Sequence, residues 1–273
     1  MDGYGFNKQL PQALTKGVDG VFIFHGNTAK DATPVDGKGI WSELKPGHGV
    51  GFRSDGKKNV YSDRFGVELT LAQTLKAKAP HGKIAFIKYS RGGTSIDQRA
   101  AGGFGCWEPD FEKGQDAGKG VNQYDHFLAT VRNAMSNTDV DGDGESDTLV
   151  PAGIVWMQGE SDASYGEEIA LRYEDNLKRL MDLIRAAFRS DDLPVVIGRI
   201  SDSGRDKDDG KVWDHGQQVR QAQAEFVRKD GAATLVTSTD DYGYSDPWHY
   251  DSKGYLDLGA RFAEALLNLG KTK

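Results

Sequence analysis

The sequence predicts a single α/β sandwich built on a parallel sheet. Five short apolar runs, each rich in β-branched or aromatic residues, recur along the chain. Stretches with helical periodicity fill the intervals between them. No internal repeat or linker breaks the alternation. Strands that read as continuous apolar runs and alternate with helices belong in parallel sheets covered on both faces.

In chain order, the first strand is Val21–His25. Phe65, Leu69, Leu71 and Leu75 mark the first helix, and Lys83–Tyr89 is the second strand. Phe127, Leu128, Val131 and Met135 mark the next helix, followed by a strand over Ala152–Met157. Ile169, Tyr173, Leu177, Leu180, Leu183, Ile184 and Phe188 predict one long helix, with Ser164 and Glu167 at capping-box spacing at its start. Pro194–Ile200 is the fourth strand, and Val212, Val219, Ala222 and Phe226 mark a helix after it. Thr234–Thr237 is the fifth strand, and Tyr255, Leu258, Phe262 and Leu266 mark the last helix. Between these elements, Ala32–Asp63, Ala100–Asn122 and Ser201–Lys211 read as Gly- and charge-rich loops, which in such folds gather round a site.

A chain of 273 residues fits one domain over 1–273, with a core at about 20–270. The formal net charge of -7 gives no electrostatic support for nucleic-acid binding. No apolar run reaches the length of a membrane span. Cys106 is the only cysteine, which excludes an internal disulfide and a multi-cysteine metal site. The opening MDGYGFNKQLPQ lacks the basic-then-apolar pattern of a signal peptide, and the compartment stays open.

In open parallel sheets, ligands bind beyond the carboxyl ends of the strands. Four polar, glycine-punctuated segments follow strands here: His25-Gly26-Asn27-Thr28-Ala29, Ser90-Arg91-Gly92-Gly93-Thr94-Ser95, Gln158-Gly159-Glu160-Ser161-Asp162 and Asp246-Pro247-Trp248-His249-Tyr250. The last pair is the most informative. An Asp three residues before a His can bond one ring nitrogen, fix the tautomer and leave the other nitrogen as a base. The alternative is a helix-start turn with a solvated His. Gly92-Gly93 offers backbone N–H groups to an oxyanion or is simply a tight turn. Gln158 is a side-chain amide donor or an ordinary strand-end residue.

Taken together, "WMQGESDA", "KYSRGGTSI" and "DPWHYDSKGYLDLGARFAEAL" resemble the SGNH (GDSL-like) hydrolases, in their sialate O-acetylesterase-like and acetylxylan-esterase-like branch. "IWSELKPG", "RFGVELTLAQTL" and "VRQAQAEFV" add to the resemblance, which runs from about Val21 to Leu269. It implies a flavodoxin-like three-layer α/β/α sandwich with a five-stranded parallel sheet. The implied activity is a carbohydrate O-acetylesterase that acts on an acylated saccharide without an organic cofactor. It further implies His249 as base, Asp246 as its orienting acid, Gly93 as an oxyanion N–H and Gln158 as an amide donor. Glu160 then supports the site or braces its loop.

The departure falls on the nucleophile. Where the family has "GQSN", this chain has "GNTA", which puts Thr28 at the serine, Asn27 at the glutamine as an oxyanion- or substrate-binding residue, and Ala29 at the asparagine. Threonine keeps a hydroxyl, but its methyl stiffens χ1 and crowds the line of attack. Three outcomes stand open: Thr28 attacks slowly, the protein binds acylated glycans without turning them over, or another hydroxyl or an activated water serves. His25 and Lys30 flank the turn, where they either alter its electrostatics or, as the plainer reading has it, are surface polar residues. Ser161, in a Gly-Glu-Ser-Asp-Ala sequence, is a rival nucleophile in the manner of G-x-S-x-G elbows. A metal-dependent phosphoester or sulfoester hydrolase is a further class.

"DVDGDGESD" carries Asp139, Asp141, Asp143, Glu145 and Asp147 in alternation, with Gly144 at the sharp turn. It matches the first nine places of an EF-hand loop, while Val150 stands where the bidentate carboxylate belongs. A structural Ca²⁺ here would brace the third strand and favour an extracellular or periplasmic setting. The other reading is a solvated acidic turn. Trp41, Trp107, Trp213 and Trp248 are either core residues or sugar-stacking aromatics.

Overall fold

The computed structural model describes residues 2–29, 33–112 and 119–270. It opens with β1 (Gly5–Phe6), β2 (Val21–His25), β3 (Trp41–Glu43), β4 (Arg53–Ser54), β5 (Asn59–Val60) and β6 (Arg64–Phe65). Then come α1 (Glu68–Lys78), β7 (Ile84–Lys88), α2 (Gln123–Ser136), β8 (Ile154–Trp156), α3 (Glu160–Ser164), α4 (Glu167–Leu171) and α5 (Tyr173–Ala187). The last elements are β9 (Val195–Gly198), α6 (Gly216–Lys229), β10 (Ala233–Val236) and α7 (Ser252–Leu269). Among the described residues no helix is long and apolar enough to cross a membrane.

The fold is mixed α/β, and all five expected strands form as β2, β7, β8, β9 and β10. Their ladders differ from expectation. They make two three-stranded sheets, β3-β2-β7 and β10-β9-β8, rather than one five-stranded parallel sheet. β2 and β7 are parallel, as are β8, β9 and β10, while β3 lies antiparallel on the outer edge of β2. β8 is only three residues long, and aromatic rings fill the seam on its β7 side. Trp107 stands edge-on to Trp156 of β8 at 5.0 Å and to Tyr89, just past β7, at 5.6 Å. Ring packing, not a ladder, joins the two sheets there.

Burial on both faces is plain in β2, where every residue is buried. Side chains alternate across a strand. Val21 and Ile23 enter the main core, and Phe22 and Phe24 enter a second core with Trp41 and Ala134 of α2. α7 packs on α1, β9 and β10, and α6 packs on α5 and β10.

The long helix read from Ile169 to Phe188 is instead broken into α4 and α5 at Arg172, preceded by the short α3. The capping box is not made. Ser164 Oγ donates back to the Glu160 carbonyl at 2.9 Å and closes α3, and Gly166 caps α4 without a side chain. True side-chain caps occur at Asn122 of α2 and Asp251 of α7, whose oxygens accept from the N–H of Asp125 and Gly254.

Candidate active site

The turn between β10 and α7 builds a histidine–carboxylate pair from four residues. Ser245 N–H donates to the His249 carbonyl at 2.9 Å and closes the turn. Inside it, Asp246 Oδ1 accepts from the backbone N–H of Trp248 and of His249, each at 2.8 Å. His249 Nδ1 lies 2.9 and 2.8 Å from the two oxygens of the same carboxylate. An ionised carboxylate only accepts, so Nδ1 carries the proton and Nε2 of the neutral ring is the acceptor. Burial pushes the Asp246 carboxyl up, but the His249 bond and the two backbone donors outweigh it and hold the group below its ordinary value. The imidazole lies flat on Tyr4, with centroids 3.4 Å apart and planes 17° apart.

Thr28 sits in the turn after β2. Gly26 N–H donates to the Lys88 carbonyl, which ties this turn to the end of β7. Asn27 is spent on the backbone: its Oδ1 accepts from Ser54 N–H and its Nδ2 donates to the Phe52 carbonyl at 3.4 Å. It pins the 52–54 segment rather than facing a ligand. Thr28 lines a cavity of about 250 Å³ with Ala29, Arg91, Phe104 and Gln123. Its Oγ1 lies 2.6 Å from Tyr89 Oη. Tyr89 Oη in turn bonds Gln123 Oε1, and Gln123 Nε2 bonds the Phe104 carbonyl. That carbonyl can only accept, which sets the amide's orientation. Gln123 Oε1 therefore takes the phenol proton, and Thr28 donates its own proton to Tyr89. Among the described residues, no side chain bonds His249 Nε2, so neither Thr28 nor Ser161 is hydrogen-bonded to that imidazole.

Gly93 stands behind Phe104, which lines that cavity. Its φ is +70°, and a Cβ there would stand 2.8 Å from Phe104 Cδ2, so only glycine fits this approach. Phe104 also carries the Arg91 guanidinium, 4.7 Å above its ring. Gly92 N–H donates to Asp2 at 3.2 Å, and two residues on from Asp2 stands Tyr4, on which His249 lies. The N-terminal segment thus spans from the Gly-Gly loop to His249.

Gln158 is not aimed at this wall. Its Nε2 donates to the Thr94 carbonyl at 3.0 Å and to Asp162 Oδ2 at 2.7 Å, and Tyr173 Oη lies 3.1 Å from its Oε1. Both amide protons are committed. The side chain holds the Gly93-Thr94 loop from beneath instead of offering a donor to an oxyanion. Glu160 opens α3, and its charge is felt by Tyr244, Tyr250 and Tyr255, whose phenols are pushed up first by burial and then by neighbours including this carboxylate.

The family of carbohydrate esterases described as sialic acid-specific acetylesterases matches residues 39–268. The chain belongs to this family. The match begins past the turn that carries Thr28, and it includes Gly93, Gln158, Asp246 and His249. No curated protein matches the chain. Two solved structures share the fold. One is a protein from Arabidopsis thaliana, with a TM-score of 0.62 at 17% identity over 95% of this chain and 85% of that one. The other is a carbohydrate acetylesterase from Xanthomonas citri, with a TM-score of 0.63 at 16% identity over 96% of this chain. This chain covers 52% of the Xanthomonas protein, about half its length.

Within this carbohydrate esterase, Asp162 is the group beneath the site whose ionisation matters most for the fold. It is fully buried, and accepts from Ile96 N–H, Asp97 N–H and Gln158 Nε2. Burial pushes its carboxyl up to about 6, against those three donors. A carboxyl that holds its proton more tightly folded than unfolded stabilises most at low pH. Its contribution is full below about pH 4 and is lost as pH rises through about 6, a change of about 3 kcal/mol. Asp162→Asn is expected to be less stable at every pH, because its amide faces three donors. It is also expected to lack this decline. Urea unfolding of both proteins from pH 4 to 7 checks it; parallel curves would refute the assignment.

The acidic loop of this carbohydrate esterase is only partly assembled as a cation site. Asp139, Asp141 and Asp143 offer oxygens within 4.8 Å of one another. Glu145 and Asp147 are not in the group. Lys83 Nζ sits on Asp141 at 2.6 Å and on Asp147 at 3.2 Å, and Asp147 Oδ2 also accepts from Val140 N–H. Calcium takes six to eight oxygens. These three carboxylates supply part of such a shell, and Lys83 already relieves the repulsion that a cation would answer.

His25, read as a surface residue, is buried against His48, with Nδ1 atoms 3.3 Å apart, and is stacked on Phe52. Burial, then the charge of Lys88, holds it well below its ordinary value and neutral. Lys30 lies outside the described residues. Trp41 and Trp107 are core residues, Trp213 is half-buried with its indole N–H on the Ser201 carbonyl, and Trp248, next to His249 in the chain, is exposed. Sequence reasoning missed Tyr4, Tyr89 and Gln123. Tyr89 was counted as the end of a strand; a polar-tipped aromatic where a strand meets a Gly-rich loop is the signal that marks it.

Proposed function

We propose that this chain hydrolyses acetyl esters on a saccharide, with Thr28 as the nucleophile, His249 as the base and Asp246 as the group that orients it. The observation that carries the reading is the double hold of Asp246 on His249 Nδ1, which leaves Nε2 to accept a proton. Thr28 Oγ1 attacks the acetyl carbonyl carbon and its proton passes to Nε2. The charge on the carbonyl oxygen is met by the Gly93 N–H. The C–O bond to the sugar breaks and the leaving oxygen takes the proton back from Nε2. Water, deprotonated by His249, then releases acetate from Thr28. No organic cofactor enters these steps. Before attack, the Thr28 hydroxyl has to turn its proton from Tyr89 towards His249.

That last requirement favours a second reading, a glycan-binding protein whose hydroxyl is held out of action. One experiment separates the two: p-nitrophenyl acetate turnover by wild type, Thr28→Ala and Thr28→Ser. The esterase reading expects an active wild type, an inactive Thr28→Ala and a roughly tenfold faster Thr28→Ser, because the methyl that crowds attack is gone. Undiminished activity in Thr28→Ala would remove Thr28 as nucleophile. A silent wild type with an active Thr28→Ser would favour the binding reading.

A further inference from the structure

Two side chains outside the expected set, Tyr89 and Gln123, stand at Thr28, and their chemistry is specific. Tyr89 Oη stands 2.6 Å from Oγ1, the atom that would become bonded to the acyl carbon. Burial raises the Tyr89 phenol well above its ordinary value, so it remains a proton donor at any working pH. The ring is fixed by Trp107, edge-on at 5.6 Å, and by His126, stacked at 6.3 Å. Gln123, fully buried and oriented by the Phe104 carbonyl, holds the phenol proton through Oε1. Meanwhile both protons of Gln158, the amide expected at the oxyanion, are committed to Thr94 and Asp162.

We propose that Tyr89 is a catalytic residue: its phenol donates to the oxyanion of the acyl adduct on Thr28, in the place expected for a side-chain amide, with Gln123 as its positioning residue. The inference rests on Thr28 being the nucleophile. In a tetrahedral adduct the oxyanion is bonded to the same carbon as Oγ1, so it forms within reach of a group already in contact with Oγ1. A developing alkoxide is a far stronger acceptor than a neutral amide oxygen. The Tyr89 O–H therefore turns from Gln123 Oε1 to the oxyanion as charge appears, and turns back as the adduct collapses. No proton leaves Tyr89 and no bond to it breaks. In the resting site the same phenol accepts the Thr28 proton, so one group holds the nucleophile before attack and the charge after it.

The test is Tyr89→Phe, assayed for kcat and KM on p-nitrophenyl acetate and for affinity towards 1,1,1-trifluoroacetone, which forms a tetrahedral adduct with an active hydroxyl. Loss of one oxyanion donor is expected to lower kcat by about 10²-fold with KM little changed. Affinity for the ketone should fall by a similar factor. Unchanged kcat and ketone affinity, or a faster enzyme, would overturn the proposal. So would a loss confined to KM. Should Tyr89→Phe not fold, 3,5-difluorotyrosine at position 89 keeps the shape and strengthens the donor. It is expected to bind the ketone several-fold more tightly, and unchanged affinity would count against the proposal. Thr28→Ala is the control. If it keeps turnover and ketone binding, the nucleophile reading fails; if it loses both while Tyr89→Phe keeps both, only the role of Tyr89 fails.

Discussion

Replacing His249 with alanine is expected to lower kcat/KM for acetyl esters by about 10²–10⁴-fold, the usual contribution of a positioned general base. The fold should survive. Two of the bonds that shape the turn, from Trp248 N–H and His249 N–H to Asp246, are made by the backbone and do not need the imidazole. The melting temperature of His249→Ala is therefore expected within a few degrees of wild type. Asp246→Asn should lose a comparable factor for a different reason. An asparagine amide can present a donor to Nδ1, which then accepts, and the proton moves to Nε2, where the base is needed. A His249→Ala variant that keeps more than a tenth of wild-type activity would remove this pair from the chemistry. Rate measurements on both variants, with melting curves beside them, separate loss of the base from loss of the fold.

Asp230→Ala is expected to cost about 3–5 kcal/mol of unfolding free energy. Arg185 on α5 is buried, and its guanidinium meets Asp230 in a two-pronged bond of 2.6 and 3.0 Å. Its Nε donates to the Leu193 carbonyl at 3.0 Å. Without Asp230 a buried cation keeps one carbonyl and no counter-charge. Burial raises the Asp230 carboxyl, but Arg185 and the Ala232 N–H overcome this and hold it below its ordinary value. A carboxyl depressed in the folded state stabilises above its unfolded value, and that support is lost as pH falls through the folded one. Wild type should thus lose stability on acidification faster than Asp230→Ala. Urea unfolding at pH 7 and below pH 4 checks both statements; a cost below about 1 kcal/mol at pH 7 would mean that water reaches Arg185.

What the sequence made legible was local. The five strands announced themselves as apolar runs, and the Asp246–His249 pair as a three-residue spacing, because each is decided by near neighbours. The seam between β7 and β8 depends on Trp107 reaching Tyr89 and Trp156, which no short window contains. Gln158 looked free because nothing in its own segment says that Asp162 folds back beneath it and that Thr94 comes down on top. Gly166 defeated the Ser164–Glu167 capping box by letting the chain turn before the cap could form. Asn27 reads as a ligand-facing amide within its own segment, and its partners Phe52 and Ser54 lie 25 and 27 residues on. Tyr4 could not be read at all, since its partner lies at the other end of the chain.

That last contact bears on how the molecule is made. Tyr4 seats the imidazole, and beside it Phe6 N–H bonds Ser252 Oγ across 246 residues. During synthesis the segment that carries Tyr4 is made long before the turn that holds His249, just ahead of α7. Contacts so far apart in sequence form slowly and late. The seat of His249 on Tyr4 therefore closes late, in a step that joins two segments made far apart in time.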